Sequence, residues 1–182
     1  LHISGSVIAN YLLENIYSQK IADAHKEGDL HLHDLSMGIN AYCAGWSLRQ
    51  LLLQGFGGIK NRIDCAPPKH LETVLGQMVN FWGTLQNEWA GAQAFSSFDT
   101  YLAPFVRADN LTYKQVKQNI QKFMFNIGAP SRWGTQSPFT NLTFDWTVPE
   151  DLENDPVIIG GKLQETTYAD YQKEMDMINK AF

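Results

Sequence analysis

Cysteine is scarce in this sequence: 182 residues include two, Cys43 and Cys65. Two thiols cannot form the disulfide framework of a small secreted domain, so both are read as reduced and the protein as cytoplasmic. Basic charge is also short. Fourteen Lys and Arg stand against nineteen Asp and Glu, giving a formal net charge of −5. That balance excludes a broad electrostatic footprint for nucleic acid. It leaves room for a small phosphorylated ligand, because backbone N–H groups and one or two cations can build such a site. No apolar run approaches the roughly 18 residues of a membrane-spanning helix. The opening LHISGSVIAN lacks the basic start and long apolar centre of a signal peptide. Internal repeats and low-complexity tracts are absent as well.

What is present points to a globular domain. Hydrophobic residues make up 44% of the chain, enough for a real core at this length. The first residue is Leu1 rather than Met, and Asn179 to Phe182 sit inside a helical pattern without a capping signal. The sequence therefore reads as a piece of a longer protein.

Apolar spacing predicts a first helix capped at Ser4 or Ser6, with Val7, Ile8, Tyr11, Leu12, Ile16 and Ile21 on its stripe and Gly28 as the stop. Leu30 to Leu35 alternates as a strand would. A short Leu-rich helix follows Ser47, and Gly55, Gly57 and Gly58 end it. A long helix from Lys69 carries Leu71, Val74, Leu75, Met78, Phe81, Trp82, Leu85 and Trp89, and is expected to run to about Ala94. A further helical turn covers Asp99 to Phe105. Thr112 and Gln115 form a capping box, with Leu111 stapled on Val116, for a helix ending near Asn126. Thr135 to Trp146 reads as a strand, Val157 to Gly161 as an apolar piece with a turn, and Thr167 with Asp170 caps a last helix. Strands separated by helices of this length predict an α/β arrangement with mainly parallel pairing. Two or three strands are too few to close a barrel.

Reactive groups concentrate between Gly28 and Trp46, in GDLHLHDLSMGINAYCAGW. On a strand, His31, His33 and Leu35 would share one face, and Leu30, Leu32 and Asp34 the other. Two histidines at that spacing can ligate a metal, but no third or fourth ligand is evident: His70 opens a helix and Cys65 lies in a loop. Hydrogen-bonded core histidines and substrate contacts remain the other readings. Cys43 reads ordinarily as a small core hydrophobe. Ala44 and Gly45 nevertheless leave space around its sulfur, and a helix start at Ser47 lies just beyond. Cys65 is expected to be incidental. Arg132 and Gln136, at the mouth of a strand, could meet an anion or a nucleotide edge, or be a polar lead-in. The small residues between Gln86 and Asp99 allow close packing or a subunit interface.

Several of these segments, in order, resemble one family. They are HLHDL (31–35), YCAGWSL (42–48) with LLLQGF (51–56), QNEWAGAQAFSSFD (86–99), YLAPF (101–105) and PSRWGTQSPFTNLTFD (130–145). The chain resembles the anaerobic, class III ribonucleoside-triphosphate reductases, the glycyl-radical branch of the ribonucleotide reductases. The resemblance implies a helix-rich N-terminal portion of a ten-stranded α/β barrel, incomplete in this chain. It implies reduction of ribonucleoside triphosphates to deoxyribonucleoside triphosphates, with Cys43 matching the cysteine of the first barrel strand that supports loss of the 2′-hydroxyl. His31, His33, Asp34, Gln136 and Asn141 are the candidates for substrate binding.

The resemblance further implies a glycyl radical outside this chain, installed by a separate S-adenosylmethionine/iron–sulfur activase. Formate or a thiol would be the reductant, ATP and dNTPs the effectors, and a homodimer the assembly, with neither nucleic acid nor membrane as a partner. No ATP-cone, thiyl-bearing finger loop, glycyl-radical motif or four-cysteine zinc site is recognisable, and the surroundings of Cys65 do not match the finger loop, so the chain alone is expected to be inactive. Two other readings compete: a nucleotide-binding regulatory module, and a glycyl-radical enzyme with another substrate.

Overall fold

The computed structural model describes residues 2–57, 64–130 and 136–182. Gly58, Arg132 and Thr135 lie outside them. The first predicted helix is broken in two. Helix α1 (His2–Tyr11) passes into a π-helical turn, Leu12–Ile16, and α2 (Gln19–Glu27) restarts after Ser18. Gly28 ends α2 in the left-handed region, as expected. Of the expected apolar stripe, Leu12 is buried and most of the rest is not. Val7, Tyr11 and Ile16 are exposed, whereas Leu12, Leu13 and Ala22 are buried.

Strand β1 (Tyr42–Trp46) leads to α3 (Leu48–Gln54) and α4 (Leu71–Leu85). Ser47 caps α3, its Oγ accepting from Gln50 N at 3.2 Å. The helix expected to reach Ala94 stops at Leu85, and Ala90–Phe95 is instead β2. Helices α5 (Phe98–Ala108) and α6 (Tyr113–Ile127) precede β3 (Thr140–Leu142), much shorter than the strand read from the sequence. A hairpin of β4 (Pro156–Ile159) and β5 (Lys162–Thr167) precedes α7 (Gln172–Ala181). Gly160 and Gly161 turn that hairpin with φ of 61° and 75°, the left-handed pair that a two-residue connection requires.

The three-stranded sheet is parallel, in the order β1-β2-β3, and the helices between its strands supply the crossovers. Its inner face carries Trp46, Phe95 and Leu142, which are paired in register. Paired residues on parallel strands point to the same face. That face packs on Leu48, Leu52, Leu71, Met78, Trp82, Phe98, Leu102, Phe105 and Phe123 from α3 to α6, all at most 1% exposed. Each such side chain contributes roughly 1.5–3 kcal/mol by leaving water.

Two carboxylates hold the crossovers. Asp109, just past α5, caps α4 from a distance: its Oδ2 accepts from Leu71 N at 2.8 Å and its Oδ1 lies 2.7 Å from His70 Nδ1. Asp99, fully buried at 0%, accepts from the backbone N–H groups of Thr100, Asp145 and Trp146 at 2.9–3.2 Å. This ties the exit of β3 to the start of α5. The Thr112–Gln115 box forms as expected, Thr112 N donating to Gln115 Oε1 at 2.9 Å. Among the described residues, no helix is long and apolar enough to cross a membrane.

Candidate active site around Cys43

The expected strand over Leu30 to Leu35 does not form. Asp34 has a left-handed φ of 52° and starts a 3₁₀ turn, Leu35–Met37, so the alternation never becomes a ladder. The histidines are gathered by this turn. His31 Nε2 lies 3.1 Å from His33 Nδ1, so one ring must carry the proton of that contact and the other the lone pair. His33 Nε2 lies 3.8 Å from Asp34 Oδ1. His25, from the last turn of α2, sits with its ring 5.9 Å from that of His31, and its Nδ1 accepts from Leu32 N at 3.2 Å. His33 in turn meets the edge of Tyr42, ring to ring at 6.0 Å.

Tyr42 connects this cluster to the thiol. Its phenol is pushed above the usual tyrosine range, first by desolvation, then by the neighbouring Cys43 and Asp34 charges and a hydrogen bond with Cys43. Cys43 follows in β1, exposed and unoxidised. The local register is irregular: Tyr42 pairs with Ala90 and Ala44 with Gln93, so two steps on β1 match three on β2. The extra residue makes a bulge. Cys43 and Gly91 take left-handed φ values of 56° and 76° on its two sides, and Ala92 N donates to Cys43 Sγ at 3.3 Å.

Beyond the bulge, Gly45 pairs with Ala94 and Ala94 with Asn141. These three point away from the core face. A Cβ added to Gly45 would meet nothing within 4 Å, so the face is open there. Asn141 is exposed on this face, and Gln136 is exposed on the segment leading to β3. The structure thus brings His31, His33, Asp34 and Cys43 together through Tyr42, and sets Asn141 on the open side of the same sheet. Among the described residues, Gln136 makes none of these contacts, and Arg132 lies outside the described residues. Among the described residues, no group of three or more His, Cys, Asp or Glu could hold a metal ion.

Sequence reasoning missed three members of this neighbourhood. His25 and Tyr42 join only through tertiary contacts, although Tyr42 adjoins Cys43 in sequence. Gln93 is fully buried in β2 and its Oε1 accepts from Trp46 Nε1 at 2.7 Å, which fixes the indole on the core side. Cys65 lies apart, paired through its backbone with Phe56 and lining a groove of about 520 Å³ with Lys69, His70 and Gln77.

Comparison with known proteins gives one consistent result. A family model described as anaerobic ribonucleoside-triphosphate reductase matches residues 1–182. The curated anaerobic ribonucleoside-triphosphate reductase of Escherichia coli K12 is 27% identical over 111 residues, 58% of this chain and 15% of its own length. That of enterobacteria phage T4 is 22% identical over 173 residues, 80% of this chain and 28% of its own length. The crystal structure of the anaerobic ribonucleotide reductase from Thermotoga maritima in complex with dATP and CTP superposes with a TM-score of 0.73 at 22% identity. It covers 98% of this chain, which spans 33% of the solved one. At that identity the structural likeness establishes the fold.

Proposed function

The chain belongs to the anaerobic ribonucleoside-triphosphate reductases, and from that premise we propose that it forms the N-terminal part of a catalytic barrel that reduces ribonucleoside triphosphates to deoxyribonucleoside triphosphates. The observation that carries the reading is the Cys43 thiol: exposed, on a parallel sheet, beside a face kept open by Gly45 and Ala94. Replacing the ribose 2′-hydroxyl by hydrogen releases water and consumes two electrons, supplied by formate or a thiol reductant. The glycyl radical of the family, on residues outside this chain and installed by a separate activase, supplies the one-electron chemistry.

The residues of this chain supply one side of the site. Cys43 acts as the hydrogen donor on the 2′ side of the sugar. Its backbone conformation and the Ala92 N–H hold the sulfur in one place. His31, His33 and Asp34 form a polar wall next to Tyr42, suited to the hydroxyl groups or phosphates of a nucleotide. Asn141 and Gln136 offer amide groups on the open side. The protein works as a homodimer in the cytoplasm, with ATP and dNTPs as effectors.

Cys43→Ser in the full-length protein tests the assignment. It should abolish deoxyribonucleotide formation while nucleotide-dependent thermal shifts persist. Normal turnover by that variant would remove Cys43 from the mechanism, and the absence of a shift with every NTP and dNTP would overturn the nucleotide reading itself.

A further inference from the structure

We infer that Gly91 and the Ala92 amide are positioning elements for the Cys43 sulfur, so that the bulge of β2 is part of the reductase machinery; the inference rests on the reading of Cys43 given above. Two observations meet at this point. A Cβ built on Gly91 would lie 2.7 Å from Cys43 Sγ and 3.0 Å from Tyr42 Cζ, both well inside van der Waals contact. Gly91 also has a φ of 76°, which a side chain disfavours in its own right. The empty space over Gly91 is therefore filled from the neighbouring strand by the thiol and the phenol ring together.

The second observation is the donor. Ala92 N, the amide next along the bulge, points at the sulfur at 3.3 Å. In a regular parallel ladder, a backbone N–H of β2 would bond a carbonyl of β1. Here the extra residue in β2 frees one N–H for a side chain, and that side chain is the thiol. The sulfur is held between a steric floor at Gly91 and a hydrogen-bond donor at Ala92, and the left-handed φ of 56° at Cys43 turns it onto them. A bulge that re-aims a side chain beside an active site is a known use of the irregularity.

The test uses the full-length, activated protein. Gly91→Ala forces the sulfur to move by about an ångström, and a misplacement of that size costs about 100-fold in kcat. KM for the nucleotide should stay within about threefold, because Gly91 is placed against the thiol and not the substrate. Gly83→Ala is the control: its Cβ would enter open space on α4, and kcat should be unchanged. The second variant replaces the Gly91–Ala92 amide by an ester, which removes the N–H and adds no atom.

Alkylation of Cys43 by iodoacetamide, followed by mass spectrometry of its peptide, should slow about threefold in the ester variant, the net effect on sulfur reactivity of losing one hydrogen-bond donor. This readout needs no turnover, and it decides the matter alone if Gly91→Ala fails to fold. Wild-type alkylation in the ester variant together with wild-type kcat in Gly91→Ala, beside an inactive Cys43→Ser, overturns the positioning role and leaves the Cys43 reading intact. An active Cys43→Ser overturns both.

Discussion

Removing the Asp99 carboxylate should loosen the whole exit of β3. The side chain is fully buried and accepts three backbone N–H donors: Thr100 at 3.1 Å, Asp145 at 2.9 Å and Trp146 at 3.0 Å. Asp99→Ala strands all three. A stranded buried donor costs about 1–3 kcal/mol, and more against a charged acceptor. Water can reach the loop at Trp146, which is 65% exposed, so the lower part of the range applies and the sum is about 3–5 kcal/mol. That is a large share of the roughly 5–15 kcal/mol that stabilises a domain. Asp99→Asn keeps the shape and one acceptor but turns an NH₂ toward donors, and should cost about 1–3 kcal/mol. Urea unfolding followed by tryptophan fluorescence gives the order wild type, Asn, Ala, with an unchanged slope. A loss below about 1 kcal/mol for Asp99→Ala would refute the accounting.

Other substitutions separate steric from electrostatic causes. Gly55→Ala would put a Cβ 2.1 Å from Cys65 O at a φ of 72°, so a loss of at least about 3 kcal/mol is expected. Gly83→Ala should instead stabilise by about 0.5–1 kcal/mol. Thermal melts of the two give opposite shifts, and equal shifts would contradict the geometry. Burial, and secondarily Tyr101, holds the Tyr168 phenol above its ordinary value of 10.0. The unfolded chain therefore releases this proton first, and the contribution is complete below pH 10.0 and fades as pH rises beyond it. Tyr168→Phe should flatten the decline in urea midpoint between about pH 9 and about pH 11, and identical slopes would dismiss Tyr168 as its source. Cys65→Ser, in a loop away from the candidate site, should leave deoxyribonucleotide formation within about twofold of wild type.

Local chemistry was readable wherever one residue and its near neighbours decide the outcome. The Ser47 cap, the Thr112–Gln115 box and the stop at Gly28 all form. The Thr167–Asp170 box also forms, although it opens a 3₁₀ turn before α7. Elements set by tertiary context were not readable. AGAQAF, residues 90 to 95, has little intrinsic strand preference, and becomes β2 because β1 and β3 flank it. Trp89 continued the helical spacing of α4 and so hid the break. The alternation of Leu30 to Leu35 misled in the other direction, since the conformation of Asp34 cancels it. KLQETT, residues 162 to 167, is polar and exposed, and the adjacent Gly160–Gly161 turn is what pairs it as β5. At the site, Cys43 stood out through its resemblance to a family. Its contacts with Gly91 and Ala92 depend on a bulge that no periodicity announces.

The cap on α4 has a consequence for how the molecule opens. The first turn of α4 has its N–H group satisfied by Asp109, 38 residues further along and just beyond α5. An ordinary cap travels with its helix. This one stays only while α5 is docked. Fraying of α4 from its N-terminus and undocking of α5 from its C-terminus are therefore one event, and hydrogen exchange should report them with a shared opening free energy. Since α4 lies between β1 and β2 and α5 between β2 and β3, that shared event makes both crossovers of the parallel sheet a single cooperative unit.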